Sequence, residues 1–363
     1  MDGVLYRCKT IYARLFAPGE IMLSCAKLFR KGLAALVMVS GLLSVAGAAT
    51  AAPLRVQIMP GNIASLYVYL GTSLGFYERE GLDVEVVHIA NGPQANSALV
   101  SKSVDVIMNM PDNMILLKHR GIDTVAVVGN AVQYPFFLIQ RKGLGLPTGQ
   151  DYRSVMSRIK GKTIGVYGLG SSTDRFVRQL AKSANVNDAD LKRAAMGGPA
   201  ASVSGLVAGN LDVSVDVLSS GILVEHMGIG EFVLDCSDPV AQCPPLITEG
   251  GKTSLAYFTT SDFLAANPDA MKKFVRTHRK IHAWIKDPSN RVAFVNELKK
   301  ILPAPALDNP DAYYADVADR AAAFFGTRVR LSALDAIQQS LVESGEIKSA
   351  KPLDDMVWSA VID

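Results

Sequence analysis

The sequence contains little of what metal sites and catalytic centres are usually built from. Its 363 residues include five histidines and four cysteines, and the histidines are scattered along the chain. His278 and His282 have the i, i+4 spacing of a helical metal site, but no third ligand and no glutamate between them complete it. We therefore predict a protein that is not an enzyme and that needs no metal ion and no cofactor.

The apolar run Gly32–Val45 is shorter than the roughly twenty residues that a membrane-spanning helix needs. It follows Arg30 and Lys31 and precedes a segment of small residues. A charged start, a short apolar core and an A-x-A-like site are typical of a secretory signal peptide. We predict that residues 1–51 are a signal peptide with an N-terminal extension, in which Met22 is a second possible start. Cleavage is expected after Ala51, with Ala48 as the second choice.

Basic tracts are absent once this leader is set aside. The chain has a formal net charge of +3, but its first 51 residues carry six basic and two acidic residues, which leaves about −1 for the rest. No cluster of lysine and arginine remains that would bind nucleic acid or anionic lipid. We therefore expect neither partner.

Two cysteines, Cys8 and Cys25, also lie in the leader. Cys236 and Cys243 remain, with six residues between them. In an exported protein a disulfide between these two is expected. The alternative, a zinc site, is poorly supported because C-x6-C is an unusual zinc pattern and the loop contains no histidine.

About 312 residues follow the leader, which is too many for one core, so we expect two lobes. Short β-branched strands alternate with helices in the first half, which predicts an α/β fold. The first three strands end in turn residues that carry amides, a glycine or a proline. Loops at the carboxyl ends of parallel strands converge on one crevice. The candidate ligand contacts in these loops are Asn62, Gly92, Gln94, Asp112 and Asn113.

The stretch Lys162–Ala184 combines a short strand, a glycine turn and a capped helix. Ser171, Ser172 and Thr173 offer helix N-caps after Gly170, and an apolar rhythm follows from Phe176. Such a turn points backbone N–H groups and hydroxyls toward a cleft and can hold a polar or anionic group. Two other interpretations are an ordinary strand–turn–helix joint and a weak dinucleotide fingerprint, which has Thr173 in place of the third glycine.

Several segments together resemble a known family. In chain order they are LGFYEREGLDVEVV, GPQANSALVSKSVDV, IKGKTIGV with GLGSST, GPAASVSGLVAGNLDVSV, and the tail LSALDAIQQSLVESGEIKSAKPLDDMV. Their order and spacing are similar to those of periplasmic substrate-binding proteins of nitrate/sulfonate/taurine-type ABC importers. The resemblance spans nearly all of the chain after the leader.

The resemblance implies a type II periplasmic binding protein fold, in which two lobes, each with a mainly parallel sheet flanked by helices, close on a ligand. Residues 52–138 and 256–363 would form lobe 1, and residues 139–255 would form lobe 2. Tyr134–Arg141 and Ser254–Thr260 would be the hinge strands. The expected protein is a periplasmic monomer that delivers a small molecule to a permease and an ATPase.

The resemblance also implies ligand contacts at Gly170, Ser171, Ser172 and Thr173. Asp112 and Asp216 are ambiguous, because either can cap the following helix instead, which is the favoured role for Asp112. If either carboxylate faces the cleft, it argues against a fully anionic ligand. Arg175 is expected to point away from the cleft, and Asp212 to be structural. Four tyrosines are candidates for stacking on a ring: Tyr67, Tyr69, Tyr134 and Tyr257.

The ligand itself is left open by the sequence. The hydroxyl-rich turn suits a sulfonate or carboxylate, whereas the amides and Asp216 suit a nitrogen heterocycle such as a pyrimidine. Two alternative functions also remain. One is a ligand-sensing module for a membrane receptor, and the other is an enzyme similar to the pyrimidine synthases that share this fold.

Overall fold

The structure is a computed structural model that describes residues 52–302 and 307–359. The predicted signal peptide and its cleavage sites therefore lie outside the described residues, apart from the first residue after the cut, Ala52. None of the described helices is both long enough and apolar enough to cross a membrane.

Four early strands and one late strand, β10, form a set in the order β2-β1-β3-β10-β4. β1 (Leu54–Ile58) pairs in parallel with β2 (Val84–His88). A bridge between Val56 and Val106 joins β1 to the start of β3. The late strand β10 pairs antiparallel with both of its neighbours. The remaining bounds are β3 Ile107–Asn109, β4 Thr124–Ala131 and β10 Leu255–Thr260.

The second set of strands has the same arrangement as the first, with an antiparallel strand in the fourth position. Its five strands run β7-β6-β8-β5-β9. β6 pairs in parallel with β7 and β8, whereas β5 is antiparallel to both of its neighbours. The fourth strand is β10 in the first set and β5 in the second. Each of these two strands directly follows a chain connection from the other set. The bounds are β5 Phe137–Arg141, β6 Thr163–Val166, β7 Lys192–Ala195, β8 Val213–Asp216 and β9 Gly230–Asp235.

Helices connect successive strands, and further helices follow the last strand, β10. This arrangement confirms the predicted α/β class. The α-helices in the described residues are α1 Leu66–Ser73, α2 Phe76–Arg79, α3 Gly92–Val100, α4 Pro111–His119, α5 Tyr152–Arg158, α6 Ser172–Ser183, α7 Pro199–Val207, α8 Leu218–His226, α9 Pro245–Gly251, α10 Ser261–Ala266, α11 Pro268–Lys286, α12 Arg291–Ile301, α13 Pro310–Phe324 and α14 Leu331–Glu343.

Polar residues cap two of the helices that matter for the site, α3 and α6. Asn91 caps α3 by accepting a hydrogen bond from the Gln94 N–H, and Ser171 caps α6 by accepting one from the Asp174 N–H. α6 then buries Phe176, Val177, Leu180 and Ala181 along one face, which is the apolar rhythm that the sequence predicted.

The two chain connections between the sets of strands run side by side. The Ser254 N–H donates to the Ala131 carbonyl at 3.2 Å, and the Ser254 hydroxyl donates to the Gln133 carbonyl at 2.5 Å. β5 and β10 lie next to these connections and are the strands predicted to cross between lobes. The division into lobes at these positions stays a prediction.

His278 and His282 lie on α11 beside aromatic side chains. His278 is fully buried beside Tyr257, with ring centroids 4.6 Å apart. The His282 Nδ1 lies 3.0 Å from the Tyr67 hydroxyl. Across the described part of the chain, no group of three or more histidine, cysteine or acidic side chains is placed to hold a metal ion.

A disulfide joins Cys236 and Cys243, as predicted, with their Cα atoms 5.5 Å apart. Replacing both cysteines by alanine is expected to lower the free energy of unfolding by roughly 2–3 kcal/mol, because the short loop is no longer constrained in the unfolded chain. Urea denaturation of the two proteins measures this difference. Thiol labelling of the unfolded, unreduced protein should find neither cysteine free, and full labelling of both would contradict the pairing.

Candidate functional site

A small cavity lies where loops from both sets of strands meet. We call it the central cavity. Its polar wall consists of Asn62, Asn109, Asn113 and the hydroxyl residues 171–173, and its apolar wall includes Phe136. It has about 40 Å³ of free space, enough for roughly three water molecules. No charged side chain of the described residues lines it.

Six of the predicted ligand contacts line the central cavity together: Asn62, Gly92, Asn113, Ser171, Ser172 and Thr173. They come from the loop after β1, the start of α3, the start of α4 and the start of α6. The convergence of strand-end loops that the sequence predicted therefore holds for these residues.

The other four candidates lie elsewhere. Gln94 is exposed on α3, and its backbone N–H donates to the Asn91 side chain. Gly170 is exposed at the turn before α6, with a φ of +75°, a conformation that glycine adopts without strain. Asp112 lies at the rim of the cavity, and Asp216 lies beneath its wall.

Two of the three hydroxyls at the start of α6 hold the turn itself. The Ser171 and Thr173 oxygens lie 2.8 Å apart, and the Thr173 oxygen accepts a hydrogen bond from the Tyr167 N–H at 2.9 Å. The Asp174 carboxylate accepts one from the Gly170 N–H at 3.0 Å. Capping and ligand contact are therefore not exclusive roles here, since Ser171 caps the helix and also lines the cavity.

The third hydroxyl, Ser172, joins the starts of α4 and α6. It donates to Asp112 Oδ1 at 3.0 Å and accepts from Asn113 Nδ2 at 2.8 Å. The capping role favoured for Asp112 is wrong. The N-cap residue of α4 is Met110, and no side chain accepts a hydrogen bond there. The carboxylate instead faces α6, because the first turns of the two helices are in contact.

Arg175 does not point away from this region, and that prediction was wrong. Its Nε donates to Asp112 Oδ2 at 2.8 Å, and its Nη2 donates to Ser172 Oγ at 3.1 Å. Both side chains of the Arg175–Asp112 ion pair are about one-tenth exposed. Burial lowers the pKa of Arg175, but the adjacent Asp112 carboxylate outweighs this and raises it above its ordinary value.

The ion pair stands between the central cavity and two wider grooves. One groove, of about 750 Å³, runs along α6 and is lined by Arg175, Arg178 and Glu346 among others. The other, of about 610 Å³, lies along α3 and α4 and also reaches Arg175. Movement of α4 and α6 relative to each other would therefore connect the small cavity with these larger spaces.

Tyr167 and Phe136 are wall residues that sequence reasoning missed. Tyr167 directly follows β6, and its ring lies 6.5 Å from that of Phe136. Its hydroxyl donates to Asp216 Oδ1 at 2.6 Å. The sequence does carry a signal for Tyr167, because this residue directly follows a strand, as the residues of the loop that carries Asn62 do.

Asp216 is fully buried at the end of β8. Its Oδ1 accepts hydrogen bonds from Tyr167 and from the Val217 N–H, while its Oδ2 has no hydrogen-bond partner among the described residues. Burial raises the pKa of this carboxyl group to about 6, against the opposing effect of the hydroxyls around it. Asp212, by contrast, accepts from Arg141 and from the Thr163 N–H, which is the structural role predicted for it.

The fold is similar to that of several solved binding proteins. The periplasmic aliphatic sulphonate binding protein SsuA from Escherichia coli matches with a TM-score of 0.65 and 18% identity, over 85% of this chain and 92% of that chain. The alkanesulfonate-binding protein SsuA from Xanthomonas axonopodis pv. citri, bound to MOPS, matches with a TM-score of 0.67 and 17% identity, over 86% of this chain and 99% of that chain. The periplasmic nitrate-binding protein NrtA from Synechocystis PCC 6803 matches with a TM-score of 0.66 and 13% identity, over 85% of this chain and 86% of that chain. These matches confirm the type II binding-protein fold.

The chain is also similar to a curated enzyme. The 4-amino-5-hydroxymethyl-2-methylpyrimidine phosphate synthase of Schizosaccharomyces pombe is 24% identical over 229 residues, which is 61% of this chain. The match spans 62% of the length of that enzyme. The family model described as "NMT1/THI5 like" matches residues 62–290, a range that contains both sets of strands except β1 and every residue lining the central cavity except Met59. The chain belongs to the NMT1/THI5-like family.

Proposed function

We propose that this protein is the extracytoplasmic solute-binding component of an ABC importer. It captures a small polar organic solute between its two predicted lobes and delivers it to a membrane permease and its ATPase. The proposed protein is a periplasmic monomer, exported by the leader that the sequence predicts. The structural neighbours support this proposal because the sulfonate-binding and nitrate-binding proteins among them are periplasmic.

The observation that carries the proposal is the meeting of α4 and α6 at the central cavity. The two helices belong to different sets of strands, and their N-termini present backbone and side-chain donors to one uncharged space. Such a site binds a polar group without a covalent step. The paired connections near Ser254 are the natural place for a hinge, which would open and close the site.

An enzyme similar to the pyrimidine synthases is the second candidate, and the match to the Schizosaccharomyces pombe enzyme favours it. The wall of the central cavity nevertheless has no histidine, cysteine, lysine or carboxylate among the described residues. Turnover of a pyrimidine or pyridoxal-type compound by the purified protein would favour the enzyme. A ligand sensor would bind the same solute but would be encoded without a neighbouring permease and ATPase.

A thermal-shift screen of sulfonates, carboxylates and nitrogen heterocycles tests the binding function. A solute that prefers the folded protein raises its melting temperature by mass action. Titration calorimetry of the hit should then give one site for each chain. If no member of the three classes shifts the melting temperature, the proposal of a small polar organic solute is contradicted.

With a bound solute identified, the Ser172→Ala variant is expected to weaken its binding about tenfold or more. The variant loses the hydroxyl that bonds Asp112 and Asn113 and so positions the Asn113 amide in the cavity wall, and a hydrogen bond to a strongly polar group contributes roughly 1.5–3 kcal/mol. Calorimetric titration of both proteins measures the change. Ser157→Ala on α5 is the matched control, because that hydroxyl is exposed and bonds only the Ser154 carbonyl in the described residues. Equal affinity in the folded variant would leave the turn as an ordinary strand–turn–helix joint.

A further inference from the structure

Arg175 has the surroundings of an anion site. It lies in the first turn of α6, where the helix dipole is positive, and the Ser172 hydroxyl stands beside it. Its side chain is 11% exposed, so a charge that it binds is screened little by solvent. A sulfonate or carboxylate placed here would receive charge-assisted hydrogen bonds.

In the structure, the anion at this position belongs to the protein itself. Asp112 reaches across from α4, with one oxygen 2.8 Å from Arg175 Nε and the other 3.0 Å from Ser172 Oγ. Asn113 also donates to Asp112 Oδ1 at 2.8 Å. The carboxylate thereby makes the contacts that an anionic ligand would make.

We propose that Asp112 is a specificity-determining residue that occupies the Arg175 anion position and so rejects anionic solutes. An external anion would have to displace a buried carboxylate, which would lose its partner and repel the incoming charge. An uncharged solute in the central cavity leaves the ion pair intact. The inference rests on the proposed function and narrows it to solutes without a negative charge.

The Asp112→Asn variant tests the inference directly. Asparagine has nearly the same shape, and it removes the competing charge while Arg175 and Ser172 stay in place. We expect the variant to bind methanesulfonate, acetate or nitrate at least about tenfold more tightly than the wild-type protein does. Calorimetric titration with these three salts in a buffer of low chloride concentration measures the difference.

Three further variants separate charge removal in general from the effect at Arg175. Asp188→Asn removes a carboxylate from the same α6 groove, where Asp188 pairs with Arg178 and Arg193, and it should leave anion binding unchanged. Adding Arg175→Gln to Asp112→Asn should abolish the gain. Glu346 lies 3.8 Å from Arg175, so Asp112→Asn with Glu346→Gln should bind anions at least as well as Asp112→Asn alone.

Wild-type protein that binds the three anions as tightly as Asp112→Asn overturns the inference, as does a folded Asp112→Asn that gains no anion binding. Circular dichroism and a cooperative melting curve establish that the variant is folded, and Asp112→Ser replaces it if it is not. The readout uses the salts alone and needs no natural solute. The failure of every neutral candidate would therefore count against the proposed function without changing the anion result.

Discussion

Below about pH 6.5 the His278→Gln variant is expected to retain stability that the wild-type protein loses through this residue. His278 is fully buried, its Nδ1 lies 2.9 Å from the Phe274 carbonyl, and its Nε2 has no hydrogen-bond partner in the part of the chain that the structure describes. Burial lowers the pKa of His278 from 6.5 to about 3. The folded protein therefore keeps the imidazole neutral at a pH where the unfolded chain binds a proton.

The sign follows from proton linkage. Between pH 6.5 and 3 the unfolded state binds more protons at His278, so the free energy of unfolding falls as the pH falls. One group contributes at most about 1.4 kcal/mol per pH unit, hence roughly 3 kcal/mol between pH 6.5 and pH 4. Urea denaturation of the two proteins at several pH values measures the slopes. Parallel profiles for wild type and variant would show that His278 carries no such linkage.

The Asp216→Asn variant is expected to show the opposite change. The pKa of Asp216 is about 6 in the folded protein, against an ordinary value of 3.8, so the folded state binds more protons between these limits. Stability from this group is present below about pH 4 and is lost as the pH rises to 6, by roughly 3 kcal/mol. The variant should therefore gain stability relative to wild type when the pH is raised from 4 to 7. The Tyr167 hydroxyl can still donate to the asparagine oxygen.

Between pH 4 and pH 6 the effects of His278 and Asp216 on the free energy of unfolding have opposite signs. The pH profile of wild-type stability therefore shows neither effect by itself. His278 lies on α11, while Asp216 lies in the second set of strands on β8, and distant sites without shared partners add independently. The double variant should again have a shallow profile, although each single variant has a pronounced slope of its own sign. A fixed difference between Asp216→Asn and wild type across this range would count against the raised pKa.

Much of the fold could be predicted because its signals are local. The strand, glycine turn and capped helix predicted within Lys162–Ala184 are present as β6 and α6, since glycines, hydroxyl caps and apolar spacing mark them. The strand ends that carry Asn62 and Asn113 meet at the central cavity because parallel strands direct their carboxyl ends to one edge. By contrast, no strand was predicted for Lys192–Ala195 or Gly230–Asp235, which are short and only partly apolar.

The error at Arg175 has a different origin. Periodicity along α6 identifies the face that carries Phe176 and Leu180, but it does not reveal what stands opposite the first turn of the helix. That neighbour is Asp112, 63 residues earlier in the chain and in the other set of strands. A buried ion pair across such a distance depends on the packing of two helix N-termini, which a single sequence does not specify.

The order of the strands also bears on how the chain folds during synthesis. In the first set, β3 and β4 are not paired with each other, because β10 lies between them. That sheet is therefore incomplete until Leu255–Thr260 has been made, whereas all strands of the second sheet lie between Phe137 and Asp235. We expect the second sheet to be completed first, although most of its strands are synthesised later. The strands β3 and β4 cannot pair until β10, which is distant in the sequence, has been made. A ribosome-bound chain that stops before Leu255 would accordingly leave β3 and β4 without the strand that joins them.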